Sequence, residues 1–142
     1  MKKIVLISCS KVKANHKAKA EDLYLSYLFV RSLRYARSLK PDSIFILSAK
    51  YGLLELDREV EPYHTTLKNM PLAQVKAWAD QVVEQLKRQA DLLSDHFIFL
   101  AGEKYRKYLA PHLASYEVPL QGMPIGKQLQ YLATPKHEPN LP

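Results

Sequence analysis

Short runs of apolar, β-favouring residues alternate along this chain with stretches whose apolar positions recur every three or four residues. Lys3 to Ser8 contains the uninterrupted run Ile4-Val5-Leu6-Ile7, the pattern of a strand covered on both faces. A helix is predicted from about Ala20 to Leu39, with Leu23, Tyr27, Val30 and Leu33 near one side and Pro41 stopping it. Ser43 to Ser48 is a second buried strand, so the chain opens as strand, helix, strand, a parallel pair joined by a right-handed crossover. More than twenty residues then separate Leu47 from a helix opened by Pro71, whereas such connections usually take two to six. In that helix Leu72, Val75, Ala79, Val82 and Leu86 form the inner stripe, and Lys76, Asp80, Glu84, Lys87 and Arg88 stay outside.

His96 to Ala101, built on Phe97-Ile98-Phe99-Leu100, is the third strand. It leads through Gly102 into a helix holding Tyr105, Tyr108 and Leu109. A shorter strand at Glu117 to Leu120 and a last helix from Ile125 to Leu132 complete the pattern, and the tail from Thr134, with three prolines in nine residues, reads as irregular. The fold class expected is α/β: a single three-layer domain, residues 1–133, with a mostly parallel sheet of about four strands and helices on both faces, followed by an irregular tail, 134–142. Sheets of this kind bind ligands at the carboxyl ends of their strands. Ser8 to Lys13, Ser48 to Leu53, Ala101 to Tyr105 and Gln121 to Lys127 should gather there, and they hold all four glycines of the chain.

Composition adjusts this picture only in places. The 142 residues, 47% hydrophobic and 25% charged, suit one ordinary globular core. The lack of any apolar run near the ~20 residues of a membrane span predicts a cytoplasmic protein with no membrane partner. One cysteine, Cys9, rules out an internal disulfide, and His16, His64, His96, His112 and His137 show no metal-ligand spacing, so neither a metal nor an organic cofactor is expected. Charge says more: of the net +7, six lysines precede the first acid, Glu21, and Arg31, Arg34 and Arg37 recur every third residue near one helix face. Such a surface attracts phosphate, whether on a nucleotide or on a nucleic-acid backbone, and is equally often a plain solvated face.

The candidate chemistry sits in the gathered loops. Ser8, Cys9, Ser10 and Lys11, with Lys13, offer hydroxyls and cations for an anion, although the glycines of a P-loop are missing. A thiolate at Cys9 could act as nucleophile; a lone cysteine at a strand end is more often small buried filler. Ser48, Lys50, Tyr51 and Gly52 form a second group: Lys50 could neutralise developing charge and Tyr51 could stack on a base or anchor the loop in the core. Tyr63 and its neighbours Pro62, His64, Thr65 and Thr66 could complete a pocket as a flap. Asp22, just after the first loop and beside Tyr24, is the favoured acid or base, with Lys50 as its catalytic companion; Gly102 and Tyr105 supply the third strand's end.

Taken together, Ser8-Cys9-Ser10-Lys11, Asp22-Leu23-Tyr24 with Ser26, Ser48-Ala49-Lys50-Tyr51-Gly52-Leu53-Leu54, Pro62-Tyr63, Thr66-Leu67, Ala101-Gly102 with Tyr105, and Pro119-Leu120 with Gly126-Lys127-Gln128 resemble an uncharacterised bacterial and phage domain family over nearly the whole chain. More distantly, Ser8 and Lys11, Asp22 and Tyr24, and Tyr51, Gly52, Leu54, Pro62 and Tyr63 are similar in order to landmarks of the bacterial peroxide-stress-response proteins, a resemblance that implies a stress response and DNA binding. The chain departs from those proteins in being much shorter, in having Ser48-Ala49-Lys50 before the turn, and in lacking a separate DNA-binding insertion. The first loop is also similar, over a few residues, to the core of archaeosine synthase.

The expected function is therefore binding of, or action on, a nucleotide, modified nucleobase or nucleic-acid end at the strand ends, with a nucleotide-like or phosphate-bearing ligand as partner. The alternative is a non-enzymatic DNA- or RNA-binding or stress-response protein using its basic surface; a partner module of a larger system is a third class.

Overall fold

A computed structural model describes residues 1–133; the expected irregular tail, 134–142, lies outside them. Three buried strands make the centre of a five-stranded sheet: β1 (Lys3–Ser8), β3 (Ser43–Ser48) and β6 (His96–Leu100). Their runs are apolar throughout because both faces are covered: Ile4, Val5, Leu6 and Ile7 are all buried. The sheet order is β4-β3-β1-β6-β7, where β7 is Ser115–Glu117, with β4 (Gly52–Glu55) antiparallel to β3 and every other pairing parallel. The α/β class with a mostly parallel sheet is as the pattern predicts.

The helices cover the sheet from both sides. The crossover from β1 to β3 carries α2 (Tyr27–Ser38) toward one edge, and the crossover from β3 to β6 carries α3 (Leu72–Lys87) back past β1 toward the other. Right-handed connections running in opposite directions put their helices on opposite faces. The last helix, α5 (Ile125–Leu132), packs on α2, with the Tyr35 and Tyr131 rings 5.5 Å apart.

Four local expectations are corrected. The sheet has five strands, because residues 52–55, read as part of a long loop, fold back on β3 as β4. Gly52 makes the turn with φ of 74°, a backbone conformation that favours glycine. The helix expected over 20–39 is two: a single turn, α1 (Ala20–Leu23), and α2, separated by extended Tyr24. The first loop pairs with the break, Ala14 N–H donating to Leu23 O (2.8 Å) and Leu25 N–H to Val12 O (2.9 Å), and the Ser26 hydroxyl caps α2 by accepting from Phe29 N–H. Restarting the helix turns Phe29, Ser32, Leu33, Tyr35 and Ala36 inward and leaves Tyr27 and Val30, expected on the inner side, exposed. The short strand β7 is Ser115–Glu117, two residues earlier than expected, and its join to β6 is reinforced by His96, whose ring nitrogens bond Ser115 Oγ (2.6 Å) and Glu117 Oε2 (2.7 Å). The helix after Gly102 is one turn, α4 (Glu103–Arg106).

A two-stranded ribbon, β2 (Ala18–Lys19) with β5 (Glu59–Val60), ties the basic first loop to the acidic bend after β4. No helix among the described residues is long and apolar enough to cross a membrane.

The start of β1 is clamped by two carboxylates. Asp42 accepts from Lys3 N–H (2.7 Å), and Asp95, 3% exposed, accepts from Lys2 N–H and Asp91 N–H (both 2.8 Å). Bonds from the Asp91 and Lys2 amides to the charged form hold the Asp95 carboxyl below its usual value. A depressed folded pKa gives stability that is present above the unfolded value, about 3.9, and is lost as pH falls through the folded one. Asp95→Asn is expected to lower the melting temperature at neutral pH and to flatten its decline below about pH 4, as read from unfolding curves across that range.

Candidate functional site

Four segments converge at the carboxyl edge of the sheet, and they divide into two adjoining places. Neighbouring β1 and β6 send their chains in opposite directions, β1 toward β3 and β6 toward β7. That divergence opens a crevice, the switch point at which open α/β sheets take ligands. A cavity of about 370 Å³ lies there. Its floor is Ser8, Cys9 and Ser10 from the end of β1 with Ala101 and Gly102 from the end of β6. The start of α2 forms one wall through Ser26, Phe29 and Ser32; Glu103 and Arg106 of α4 form another; the turn Gln121-Gly122-Met123 and Gln128 of α5 close the rim.

Three features make this cavity polar in a directed way. Ser32 is only 2% exposed, yet its hydroxyl has no hydrogen-bond partner among the described residues and opens on the cavity. A hydroxyl that keeps accessible surface on a cavity is free to bond whatever occupies it, water included. Arg106 donates through Nε to Ala101 O at 3.3 Å, which fixes the guanidinium and leaves its other N–H groups for a ligand. The amino end of α2, where Ser26 satisfies Phe29 N–H and the helix has no acid in its first turn, adds the positive end of a helix dipole.

Beside the cavity, between the ends of β1 and β3, lies a buried hydroxyl chain. Ser48 Oγ accepts from the backbone N–H of Tyr51 (3.0 Å) and Lys50 (3.3 Å) and shares a hydrogen bond with Tyr63 Oη (2.8 Å), which shares another with Tyr24 Oη (2.5 Å). Burial disfavours phenolate here: it pushes Tyr24 up to about 12 and Tyr63 higher still. Trp78 of α3 closes the chain from below, its indole N–H donating to Ser48 O at 2.8 Å and its ring standing edge-on to Tyr105 at 5.6 Å. The Tyr105 hydroxyl, also raised by burial, lies 3.4 Å from Cys9 Sγ and so links the chain's surroundings to the cavity floor.

Lys13 turns inward over this chain, its ammonium 4.5 Å from the centre of the Tyr63 ring. Burial lowers its pKa, and the nearby Cys9 partly opposes that shift. Lys11 is exposed, and its carbonyl accepts from Lys13 Nζ at 3.3 Å.

The residues singled out from sequence therefore part company. Ser8, Cys9, Ser10 and Gly102 line the cavity, and Tyr105 stands behind Cys9. Tyr24, Ser48 and Tyr63 belong to the buried chain. Lys50, Tyr51 and Gly52 form the β3–β4 turn, which Gln85 of α3 holds by accepting from Leu53 N–H (2.8 Å) and donating to Tyr51 O (3.2 Å). Lys50 is exposed, with its ammonium 5.3 Å from the Tyr51 ring centre, and Arg58 approaches the same ring at 5.4 Å. Asp22 is exposed on α1 and bonds no described side chain. Two cavity residues, Arg106 and Ser32, escaped the sequence reading. Ser32 carried a signal, a polar position on the buried face of α2 one turn after Phe29; Arg106 carried only its place four residues after Gly102.

Among the described residues no three His, Cys, Asp or Glu side chains cluster as metal ligands would. The arrangement can hold an anion against hydroxyls, one guanidinium and a helix end. Residues 4–134 match the model of a family described as of unknown function, DUF6884. Neither the curated proteins nor the solved structures contain a match.

Proposed function

This chain belongs to that DUF6884 family of unknown function, and from its site we propose that it binds a small phosphate-bearing, nucleotide-like ligand in the cavity at the ends of β1 and β6. The observation that carries the reading is the pairing, in one crevice, of the pinned Arg106 guanidinium with the unpartnered Ser32 hydroxyl. A guanidinium suits a phosphate, offering several N–H groups in a fixed fork, and the α2 end favours the same charge. Ser8, Ser10 and the backbone at Gly102 supply further contacts. Phe29, Leu100 and Leu120 add apolar wall against which a base or sugar can lie. At about 370 Å³ the cavity falls in the ~300–1,000 Å³ range of small-molecule sites.

A thermal-shift and calorimetric panel of nucleosides, nucleotides and sugar phosphates tests this. Phosphorylated compounds should stabilise the wild type, and Arg106→Gln should weaken them by roughly ten- to a hundredfold, the worth of a hydrogen bond to a charged group. Ser32→Val should weaken them less, and Lys50→Ala, on the neighbouring turn, should leave them nearly unchanged. Binding that survives Arg106→Gln and fails in Lys50→Ala would move the site to the β3–β4 turn and overturn the reading.

A further inference from the structure

One surface of α2 has no part in the cavity and no partner in the fold. Tyr27 is 78% exposed, between Ser26 and Leu28, both of which line the cavity. Val30 is exposed one turn on, and Leu25 and Val12, joined through their backbone, are exposed at the same end of the helix. Helical spacing sets Arg31 and Arg34 alongside Tyr27 and Val30, and the Arg31 guanidinium lies 5.8 Å from the Tyr27 ring centre. Neither arginine has a carboxylate partner among the described residues, and α2 contains no acid; of the three arginines on the helix only Arg37 is paired, with Glu21 at 3.7 Å. Residues 9–19, joined through Val12 and Ala14 to the break before α2, hold four more lysines and no acid, of which Lys13 turns inward over Tyr63.

A large exposed ring bracketed by unpaired cations suits a ligand that is both planar and anionic. A neutral or basic protein surface would leave the arginines unanswered, and a second copy of this chain would bring like charge against like. We propose that this face is a track for single-stranded nucleic acid, whose bases stack on Tyr27 while Arg31 and Arg34 meet its phosphates, and whose terminal nucleotide enters the cavity. This rests on the cavity reading and sharpens it: the ligand is the end of a strand rather than a free nucleotide. Stacking of bases on an exposed aromatic tolerates any sequence, so recognition would lie in the terminal nucleotide and little in the sequence behind it.

The test compares a mononucleotide with eight-residue DNA and RNA single strands carrying a terminal phosphate, by fluorescence anisotropy at several salt concentrations. Strands should bind at least about tenfold tighter than the mononucleotide, with an advantage that shrinks as salt rises. Tyr27→Ala should cut strand affinity roughly five- to a hundredfold, the effect expected of one lost stacking platform, and Tyr27→Phe should restore most of it. Arg31→Ala with Arg34→Ala should flatten the salt dependence. All three changes are at the surface and should leave mononucleotide binding and the melting temperature unchanged. Equal affinity for mononucleotide and strands, or indifference of the strands to Tyr27 and both arginines, would overturn the track and leave the cavity reading standing. Strand binding that is indifferent to Arg106→Gln would overturn the terminal placement, whereas mononucleotide binding indifferent to the same change would overturn the cavity reading.

Discussion

Trp78→Ala should lower stability by about 4 kcal/mol, a figure typical of a large aromatic removed from a core. Trp78 is 6% exposed and does three jobs from one position on α3. Its ring fills the space between the helix and the ends of the strands, its edge meets Tyr105, and its N–H satisfies Ser48 O. Truncation leaves a void, removes the donor of a buried carbonyl and loosens the residue that organises both the β3–β4 turn and the hydroxyl chain. For a chain of this length the loss corresponds to a fall in melting temperature on the order of 12 °C. Thermal or urea unfolding of the variant measures it. Trp78→Phe keeps part of the ring contact and should recover more than half of the loss; equal damage from both changes would assign the effect to the N–H bond and little to packing.

Alkaline pH should undo the fold through its buried tyrosines. Tyr24, Tyr35, Tyr63 and Tyr105 are each raised, chiefly by burial, and Tyr24 is raised to about 12. An unfolded tyrosine loses its proton near pH 10, so above that value the unfolded chain releases protons the folded chain keeps. Stability is then complete below about pH 10 and falls as pH rises through the folded values. Tyr24 alone, held up to about 12, represents on the order of 2 kcal/mol lost by pH 12. Phenolate absorbance followed against pH should show the signal of the buried group appearing together with loss of secondary structure. In Tyr24→Phe the stability curve should decline less steeply over the same interval, although the variant starts lower at neutral pH because Tyr63 loses its partner. An identical decline in wild type and variant would show that the alkaline transition is driven elsewhere.

Both expectations concern residues whose partners come from distant parts of the chain. Trp78 reaches back thirty positions to Ser48, and Tyr24 meets Tyr63 across thirty-nine. In the sequence Ser48 stands out at a strand end, Tyr24 just after the first loop and Tyr63 in the long loop that could close over a pocket. That they complete one another's hydrogen bonds depends on the ribbon β2–β5 and on the break before α2.

What the sequence determined by itself was the layout. The runs Ile4-Val5-Leu6-Ile7, Ile44-Phe45-Ile46-Leu47 and Phe97-Ile98-Phe99-Leu100 specify strands buried on both faces, and the three-to-four periodicity of 72–87 specifies its covering helix, because burial of a strand or of a helix stripe is written in consecutive residues. The crossover rule then brings Ser8 to Ser10 and Gly102 to a common edge. Tertiary structure decided the rest. Pairing with β3 made a strand of residues 52–55, and packing against the first loop cut one expected helix into two and reset which face of it is buried. The sheet order placed β6 beside β1, and that adjacency alone set Arg106 and Ser32, seventy-four residues apart, around one cavity and left Lys50 on the turn next to it. A polar side chain's role follows from the groups that the folded chain puts within a few ångströms of it, and no local pattern records which those will be.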